Sequence, residues 1–537
     1  MALTRRDFMK AAGAAGAAAG ISLHMPATLA QEPGMITIAL AARAPGGLNP
    51  QQSGLTGGDN WTIYQLFNTL VRAPDGRFAT RPEEFEPSLA ESWESTPDAK
   101  TWTYHLRKGV QFHKGYGEMT SEDVMFTFGR QLNKDLVTNG KVQFSNIESI
   151  EAPDAYTFIV KLKRPDPLFN GSAASVLAAS IMSKKAFEEK GEEAFSFDPI
   201  GTGCYQVESV SETEGVTLTV FPDFFGEPPA TEKVRVSYIA DTTARTLAFA
   251  SGQIDMIEGV RAPGWIDTMK QRSADTQFDM TAPGSFNFLH LNLTRPPLDN
   301  LKVRQAIRYA LDSEALASAY GPMAKPMVGI IASQFAGSVK REELPEELQY
   351  KPDVEKAKAL LAEAGFPNGV TIPCYTSQRE DYAAIMLMIQ EQLRAANINL
   401  DLDIIDHNTF HAENRLDKNA MPLNSSSYGP LPINIFLQQV SAGAEVKSDG
   451  KGQGNFSHYG VAMPGIDDLL TKALDEPDFN ARTEIFQEIE RKLLTDLPIL
   501  GVITLSYVIA RNPRVDLGFP VQSGYAYWPL NKARKTA

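Results

Sequence analysis

Strand-like and helix-like periodicities interleave from residue 35 to the C-terminus of this chain, with no internal repeat, low-complexity tract or disordered linker between them. A chain of 537 residues exceeds the size at which one hydrophobic core stops growing, so two or more cores are required. Without a linker, those cores must be packed through crossover strands and not strung as beads. Met35–Leu40 opens as a strand, and Thr101–Leu106, Tyr156–Leu162, Val216–Phe221 and Lys233–Ile239 alternate as half-buried strands. Pro498–Ala510 is the most apolar run, but Thr504, Ser506 and Tyr507 interrupt it, which predicts a buried strand and not a membrane span. After a turn-rich loop over Arg43–Asp59, the residues Ile63, Leu66, Phe67 and Leu70 recur at helical spacing. Ser121–Asn133 reads as a helix capped by Ser121, and Asn300–Ala319 as one long helix with a break near Asp312-Ser313. Asp353–Ala364 carries a cap at Asp353, a stripe of Val354, Ala357, Leu360, Leu361 and Ala364, and Gly365 at its end. Helices over Asp381–Ala396, Ile466–Leu474 and Phe479–Thr495, with a strand over Ile398–Ile404, complete an α/β pattern.

The N-terminus is a second strong signal. Thr4-Arg5-Arg6-Asp7-Phe8-Met9-Lys10 is a twin-arginine segment, and an uncharged Ala/Gly-rich stretch follows from Ala11 to Leu23. Thr28-Leu29-Ala30 places small residues at the positions a signal peptidase reads, so residues 1–30 are expected to be a twin-arginine signal peptide and Gln31 the start of the mature chain. The apolar stretch is too short to span about 30 Å of hydrocarbon as a helix. No Cys near the junction offers a lipid anchor, so an exported, soluble periplasmic protein is expected, with the Tat export machinery as a partner. The leader carries Arg5, Arg6 and Lys10 against Asp7, a net of +2, which leaves −14 − 2 = −16 on the mature chain. So acidic a protein repels phosphate backbones and anionic lipid, which argues against both as partners. An oxidising compartment permits a disulfide between Cys204 and Cys374. Two buried thiols are nevertheless expected, because the lobe division given below separates them.

The standard catalytic motifs are absent: no G-x-S-x-G elbow, no G-x-x-x-x-G-K-[ST], no H-E-x-x-H and no C-x-x-C. Gly201-Thr202-Gly203 starts like a dinucleotide fingerprint, but Gln206 stands where its third glycine belongs. His407 and His411 would share a helix face beside Asp406 and Glu413, either as a metal site or as a solvated surface. The solvated surface is the preferred reading. No catalytic residue, resident metal or cofactor is predicted.

A series of segments resembles the peptide/nickel-type (family 5) extracellular solute-binding proteins of ABC importers. They are Glu86-Pro87-Ser88-Leu89-Ala90-Glu91-Ser92-Trp93-Glu94, Thr101 to His113 with its Leu106-Arg107-Lys108-Gly109-Val110 core, and Thr120-Ser121-Glu122-Asp123-Val124. Further on come Pro199-Ile200-Gly201-Thr202-Gly203-Cys204-Tyr205, with Cys204 where proline is usual, and Ser251-Gly252-Gln253-Ile254-Asp255. Asn292 to Gln305 and Leu360 to Gly369 complete the series, which covers almost the whole mature chain in order.

The resemblance implies a two-lobed α/β periplasmic-binding-protein fold of type II, with an extra subdomain on the first lobe. It places the first lobe at roughly 35–285 plus 510–537, its subdomain at about 72–200, and the second lobe at roughly 286–509. It implies a monomer that captures a peptide or similarly sized polar solute by hinge closure and hands it to permease subunits of an ABC transporter. Alternatives are a metal chelate held through His407, His411 or His458, a sugar or opine-like solute, and a periplasmic enzyme or sensor on the same fold. For the first lobe it implies ligand contacts from Thr56, Asp59 and Trp61, where Trp61 either stacks on ligand or sits in the core. For the second it implies Tyr375 and Arg379, whose guanidinium suits a ligand carboxylate unless Glu380 or Asp381 pairs with it. Ser427, Tyr428 and Asn434 follow from the loop Ser425–Asn434, which contains no acid where peptide-binding relatives place an aspartate for the peptide amine. A buried ammonium without a counter-charge costs several kcal/mol, so this departure favours a neutral polar solute over an ordinary peptide.

Overall fold

β1 (Met35–Leu40) is buried at every position, as a strand must be when both of its sheet neighbours are parallel and both faces are covered. The structure, a computed structural model, describes residues 34–524 and 528–536. The expected leader and the expected start at Gln31 lie outside the described residues. α1 (Gly57–Leu66) begins two residues before the end of the expected loop, because Thr56 and Asp59 form a capping box around its first turn. It stops at Leu66, so Phe67 and Leu70 are buried loop residues and not part of a helical stripe.

β2 (Ala90–Ser95) and β3 (Thr101–Leu106) are followed by α2 (Ser121–Leu132), β4 (Ile147–Asp154) and β5 (Thr157–Leu162). These strands form an antiparallel sheet in the order β2-β3-β5-β4, with α2 against it. The cap of α2 is Thr120, paired with Asp123, and not Ser121. Ser121 instead donates its hydroxyl to the Asp154 carbonyl at 2.6 Å, stitching the helix to β4.

The chain then lays down β6 (Tyr205–Ser211), β7 (Gly215–Val220), β8 (Lys233–Tyr238), β9 (Met256–Glu258) and the long β10 (Gln277–His290). α3 (Leu301–Ala310) and α4 (Ser313–Ala319) divide the expected long helix, because Asp312 leaves helical geometry and caps α4. β11 (Ala324–Pro326), α5 (Val354–Glu363), β12 (Val370–Ser377), α6 (Glu380–Ala395) and β13 (Ile398–Ile405) follow. In α5 the sequence logic holds throughout: Asp353 caps, Ala357 and Leu361 are buried, and Gly365 follows with φ +93°. β12 and β13 pair in parallel across α6, a right-sized βαβ unit. Further along come α7 (His407–Arg415), β14 (Leu423–Ser427), α8 (Pro432–Gln439), α9 (Ile466–Asp475), α10 (Phe479–Asp496) and the long β15 (Ile499–Arg511). Among the described residues no helix is long and apolar enough to cross a membrane.

The main sheet has nine strands in the order β14-β10-β15-β9-β1-β8-β7-β6, with β11 added to β15. β10 and β15 are its spine, pairing antiparallel from Gln277 opposite Arg511 to His290 opposite Ile499. At one end Ile509 belongs to a core that also holds Ile36, Trp61, Phe158 and Leu530; at the other, Leu289, Leu500 and Ile503 belong to a core with Ile307, Ile389 and Ile398. The fold is thus the two-lobed α/β architecture, with β15 contributing to both of these cores and, together with β10, to a third that holds Phe286, Phe288, Tyr428, Ile435 and Ile489. Between those ends the register shifts from Thr281 to Ser285, where Gly284 has φ +69°. A Cβ at Gly284 would lie 2.1 Å from the Leu505 carbonyl oxygen, so only glycine fits this bulge. Cys204 and Cys374 are free, buried thiols in different cores, which rules out a bond between them.

Candidate functional site

The residues expected to hold a ligand on the first lobe are engaged within the chain. Asp59 is fully buried and accepts from the backbone N–H groups of Thr56 (2.8 Å) and Gly46 (3.0 Å) and from the Tyr238 hydroxyl (3.1 Å). Its oxygen also takes the Thr56 hydroxyl at 2.8 Å. A Cβ on Gly58 would meet the Tyr238 ring at 2.6 Å, so that glycine lets the ring cross the helix start. Trp61 is fully buried, edge-on to Trp528 with ring centroids 4.7 Å apart, which realises the core alternative stated for it.

One position further on, Asn60 lines a cavity of about 750 Å³, a size typical of small-molecule sites. Apart from Pro430, its wall comes from residues 60–227 and 523–532. The residues just after α1 supply Phe67 and Asn68, while Phe85, Phe224, Phe225 and Trp528 add aromatic surface. Gly201-Thr202-Gly203, a turn and not a nucleotide loop, packs flat on this helix end. A Cβ on Gly201 or Gly203 would come within 2.4 Å of α1 backbone atoms. Behind it, the Gly201 N–H donates to His113 Nδ1 at 3.3 Å, so the proton sits on Nε2 and is donated to the Gly203 carbonyl at 2.9 Å. Burial pushes the His113 imidazole down to about 4, keeping it neutral. Cys204 lines the cavity with its thiol pushed up to about 12 by burial, which makes it a small apolar group and not a nucleophile. Pro430, from the loop after β14, reaches the same cavity.

Four of the five charged residues of the lining are paired within the chain. Asp75 pairs with both Arg72 and Lys532 at 2.7 Å, Arg72 also meets Glu86, and Arg77 meets Glu84 at 2.9 Å. Three neutral atoms are buried without a hydrogen-bond partner among the described residues: Asn60 Oδ1, Trp528 Nε1 and Asn531 Oδ1. All three residues line the cavity.

The expected residues of the second lobe gather elsewhere. Arg379 grips Asp381 with Nε to Oδ1 at 3.0 Å and Nη2 to Oδ2 at 2.8 Å, the pair that its ion-pair alternative describes, while its side chain stays half exposed. Arg261 approaches the same carboxylate at 3.5 Å, donates to the Ser285 hydroxyl at 2.9 Å and lies over the Tyr507 ring. Ser427 Oγ and the Tyr507 hydroxyl are 2.7 Å apart, which ties β14 to β15. The Tyr375 hydroxyl is buried without a partner among the described residues, and burial raises its pKa well above the ordinary phenol value. Tyr428 donates to Gln438 Oε1 at 2.7 Å, accepts from Gln439 Nε2 and packs on Phe286 and Phe288. Asn434 is exposed on α8. None of the eight expected residues lines the cavity, although Asn60 and Pro430 each lie within two residues of one. The signal that identifies the cap was present as Thr56-x-x-Asp59, a capping-box spacing.

His407 and His411 do share a face of α7, with ring centroids 4.5 Å apart, and Ser377 Oγ lies 2.8 Å from His407 Nδ1. Burial, the Arg379 charge and, for His411, the neighbouring His407 lower both pKa values. His458 stands apart from them, bridging Asp417 and Glu445 at 3.0 Å each. Among the described residues no group of three His, Cys, Asp or Glu side chains is placed to hold a metal ion.

Comparison with known proteins agrees with this architecture. Residues 84–444 match the model for bacterial extracellular solute-binding proteins, family 5 Middle, and residues 2–22 match the twin-arginine translocation pathway signal sequence. The chain is 26% identical over 546 aligned residues, 96% of each chain, to the dipeptide-binding protein of Escherichia coli (strain K12). Among solved structures it is similar to HbpA2 from Haemophilus parasuis, with a TM-score of 0.80 at 25% identity over 94% of this chain and 100% of that one. It is also similar to the binding protein MoaA in complex with mannopinic acid from A.tumefacien R10, with a TM-score of 0.74 at 27% identity over 94% and 99%.

Proposed function

The chain belongs to the bacterial extracellular solute-binding proteins of family 5, and from that premise we propose that its 750 Å³ cavity is where it holds a solute for an ABC importer. It is exported to the periplasm by the twin-arginine route and acts there as the substrate-binding component. The cavity carries this reading, because it has small-molecule size and combines the aromatic walls of Phe67, Phe85, Phe224 and Phe225 with a few polar lining residues such as Asn60, Asn68 and Asn531. The solute is a peptide or a polar molecule of similar size. Support comes from relatives whose names state a dipeptide and whose structure holds mannopinic acid.

Family 5 proteins are substrate-binding proteins, and for this chain we take capture without chemical conversion as the function. Capture proceeds by closure about β10 and β15, with the bulge at Gly284 as the bending point, since a ligand that touches both lobes favours the closed state. The proposed lobe boundaries are 285/286 and 509/510; Val515, Leu517 and Leu530 of the C-terminal return join the first core, whereas Ile266, ahead of the first boundary, already packs in the second. Contacts to permease subunits, a monomeric state and cleavage before Gln31 complete the proposal. Ligand contacts from Thr56, Asp59, Trp61, Tyr375, Arg379, Ser427, Tyr428 and Asn434 stay part of the proposal, with Asn60, Phe67, Phe85, Phe224 and Phe225 added from the cavity wall.

The test is native mass spectrometry of the protein isolated from its own periplasm. An intact small molecule, bound one to one and released unchanged on unfolding, is the expected outcome. Recovery of no solute, or its conversion during incubation, would overturn the reading.

A further inference from the structure

Arg482, near the start of α10, is held from two sides. Its own neighbourhood takes Nε at the Glu476 carbonyl (2.9 Å) and one Nη2 proton at the Leu474 carbonyl (3.3 Å), where the end of α9 leaves carbonyls that favour a cation. From the other side, Nη2 also donates to the Pro165 carbonyl at 2.9 Å, and Nη1 faces Asp166 at 3.7 Å. The two side chains are 7% and 15% exposed, so water does little to screen the pair. Asp166 is itself fixed, accepting from the Leu168 N–H at 3.0 Å and from the Ser172 hydroxyl at 2.5 Å. That turn backs onto the cavity, because Gly171 and Ser175 belong to its wall. Three weaker contacts join the same parts of the chain. Phe78 meets Phe335 edge-on with ring centroids 5.9 Å apart, Arg81 lies 5.7 Å over the Phe479 ring, and Arg164 is 3.5 Å from Asp475. On the proposed boundaries, every one of these contacts pairs a residue of the first lobe with one of the second. Phe78 lines the cavity, whereas Arg482 and Asp166 do not.

We infer that Arg482 is a positioning residue for capture: through Pro165 and Asp166 it holds the two lobes together from outside the cavity, and so sets how often the chain is closed. This rests on the reading that the chain captures its solute by closure. Opening parts Arg482 from Asp166, and the contacts at Phe78, Arg81 and Arg164 part with them. A solute that touches both lobes adds its own preference to a population this latch has already biased. Apparent affinity scales with the fraction that is competent to bind, so losing the latch weakens every solute by one common factor, whatever its chemistry.

Pulsed electron spin resonance on the full mature chain tests it, with nitroxides at Glu189→Cys in the first lobe and Glu391→Cys in the second. Both positions are exposed, and Cys204 and Cys374 are buried, so the labels go where they are aimed. With the latch intact, a short interlobe distance is expected to predominate. Arg482→Ala should raise the ratio of long to short distances about tenfold or more, because it leaves the Asp166 carboxylate buried without its cation. Arg482→Lys keeps a charge opposite Asp166 but loses the fork, and should fall between the two. Arg81→Ala removes an exposed contact of the same seam and should raise the ratio roughly twofold, which keeps the test alive should Arg482→Ala fail to fold. A lowered melting temperature with unchanged distances would make Arg482 purely structural and overturn the inference. A long distance that predominates in the unaltered latch overturns it too. Native mass spectrometry separates the two readings: no recovered solute counts against solute binding, whereas distances unmoved by all three variants sink the latch and leave solute binding standing.

Discussion

At the scale of single residues, the buried histidines make the sharpest quantitative case. His290 is fully buried, with Nε2 3.0 Å from Gln439 Oε1, and burial pushes it down to about 3. In the unfolded chain it titrates near the ordinary value of about 6.5. Between those values the unfolded state binds the extra proton, so stability is full above about pH 6.5 and falls as the pH drops. His113 behaves in the same way down to about 4. Lowering the pH from 7 to 5 should therefore cost about 2 kcal/mol for each of the two, and His290→Gln should remove one share of that loss in urea unfolding curves at both pH values. His458 has the opposite sign, because Asp417 and Glu445 outweigh its burial and raise its pKa. Its contribution is complete below about pH 6.5 and is lost as the pH climbs through the raised value. None of this was legible in the sequence, since each histidine takes its environment from residues far away: Gly203 lies 90 positions from His113, and Gln439 lies 149 from His290.

At the scale of elements, local chemistry predicted well wherever it acted alone. The α5 cap, stripe and terminating glycine depend on a single helical segment, and they stand where the spacing placed them. The division of residues 300–319 followed from Asp312, whose side chain competes for the N–H of Ala315 and starts a new helix. Ser121 failed as a cap because two hydroxyl residues were adjacent, and the carbonyl of Asp154 claimed one of them. The β10 bulge is the element-scale feature with the clearest test. Gly284→Ala combines a left-handed φ with a Cβ driven against the Leu505 carbonyl, and should cost about 3 kcal/mol or more by denaturant melts. Gly109 has a similar φ of +77° and open space around it, so Gly109→Ala should cost only about 1 kcal/mol. Equal losses at the two sites would show that the bulge adds no steric demand of its own.

At the scale of the whole molecule, three cores and the strands that join them account for what the sequence could only outline. Cys204 and Cys374 sit in different cores, and their thiols should be silent to Ellman's reagent in the native protein. Two equivalents should react after unfolding in denaturant without reductant. A single disulfide, detected as no thiol released, would contradict the core assignment. Far contacts also join the lobes: Arg482 of α10 donates to the Pro165 carbonyl at 2.9 Å and faces Asp166 at 3.7 Å, from 317 positions away.

By itself, the sequence determined the α/β class, the need for more than one core, the export signal and the family, because these follow from periodicity, length and short motifs read along the chain. Tertiary structure alone decided which side chains were still available to a ligand. Asp59, Arg379 and Trp61 had the right chemistry for binding, but each met a partner brought near by folding: Tyr238, Asp381 and Trp528. Asp381 lies only two residues from Arg379, and its pairing was open until the start of α6 aligned the two groups. A side chain's availability is what remains after the rest of the fold has satisfied it, and that subtraction needs the third dimension. The cavity walled by Phe67, Phe85, Phe224 and Phe225 is the remainder.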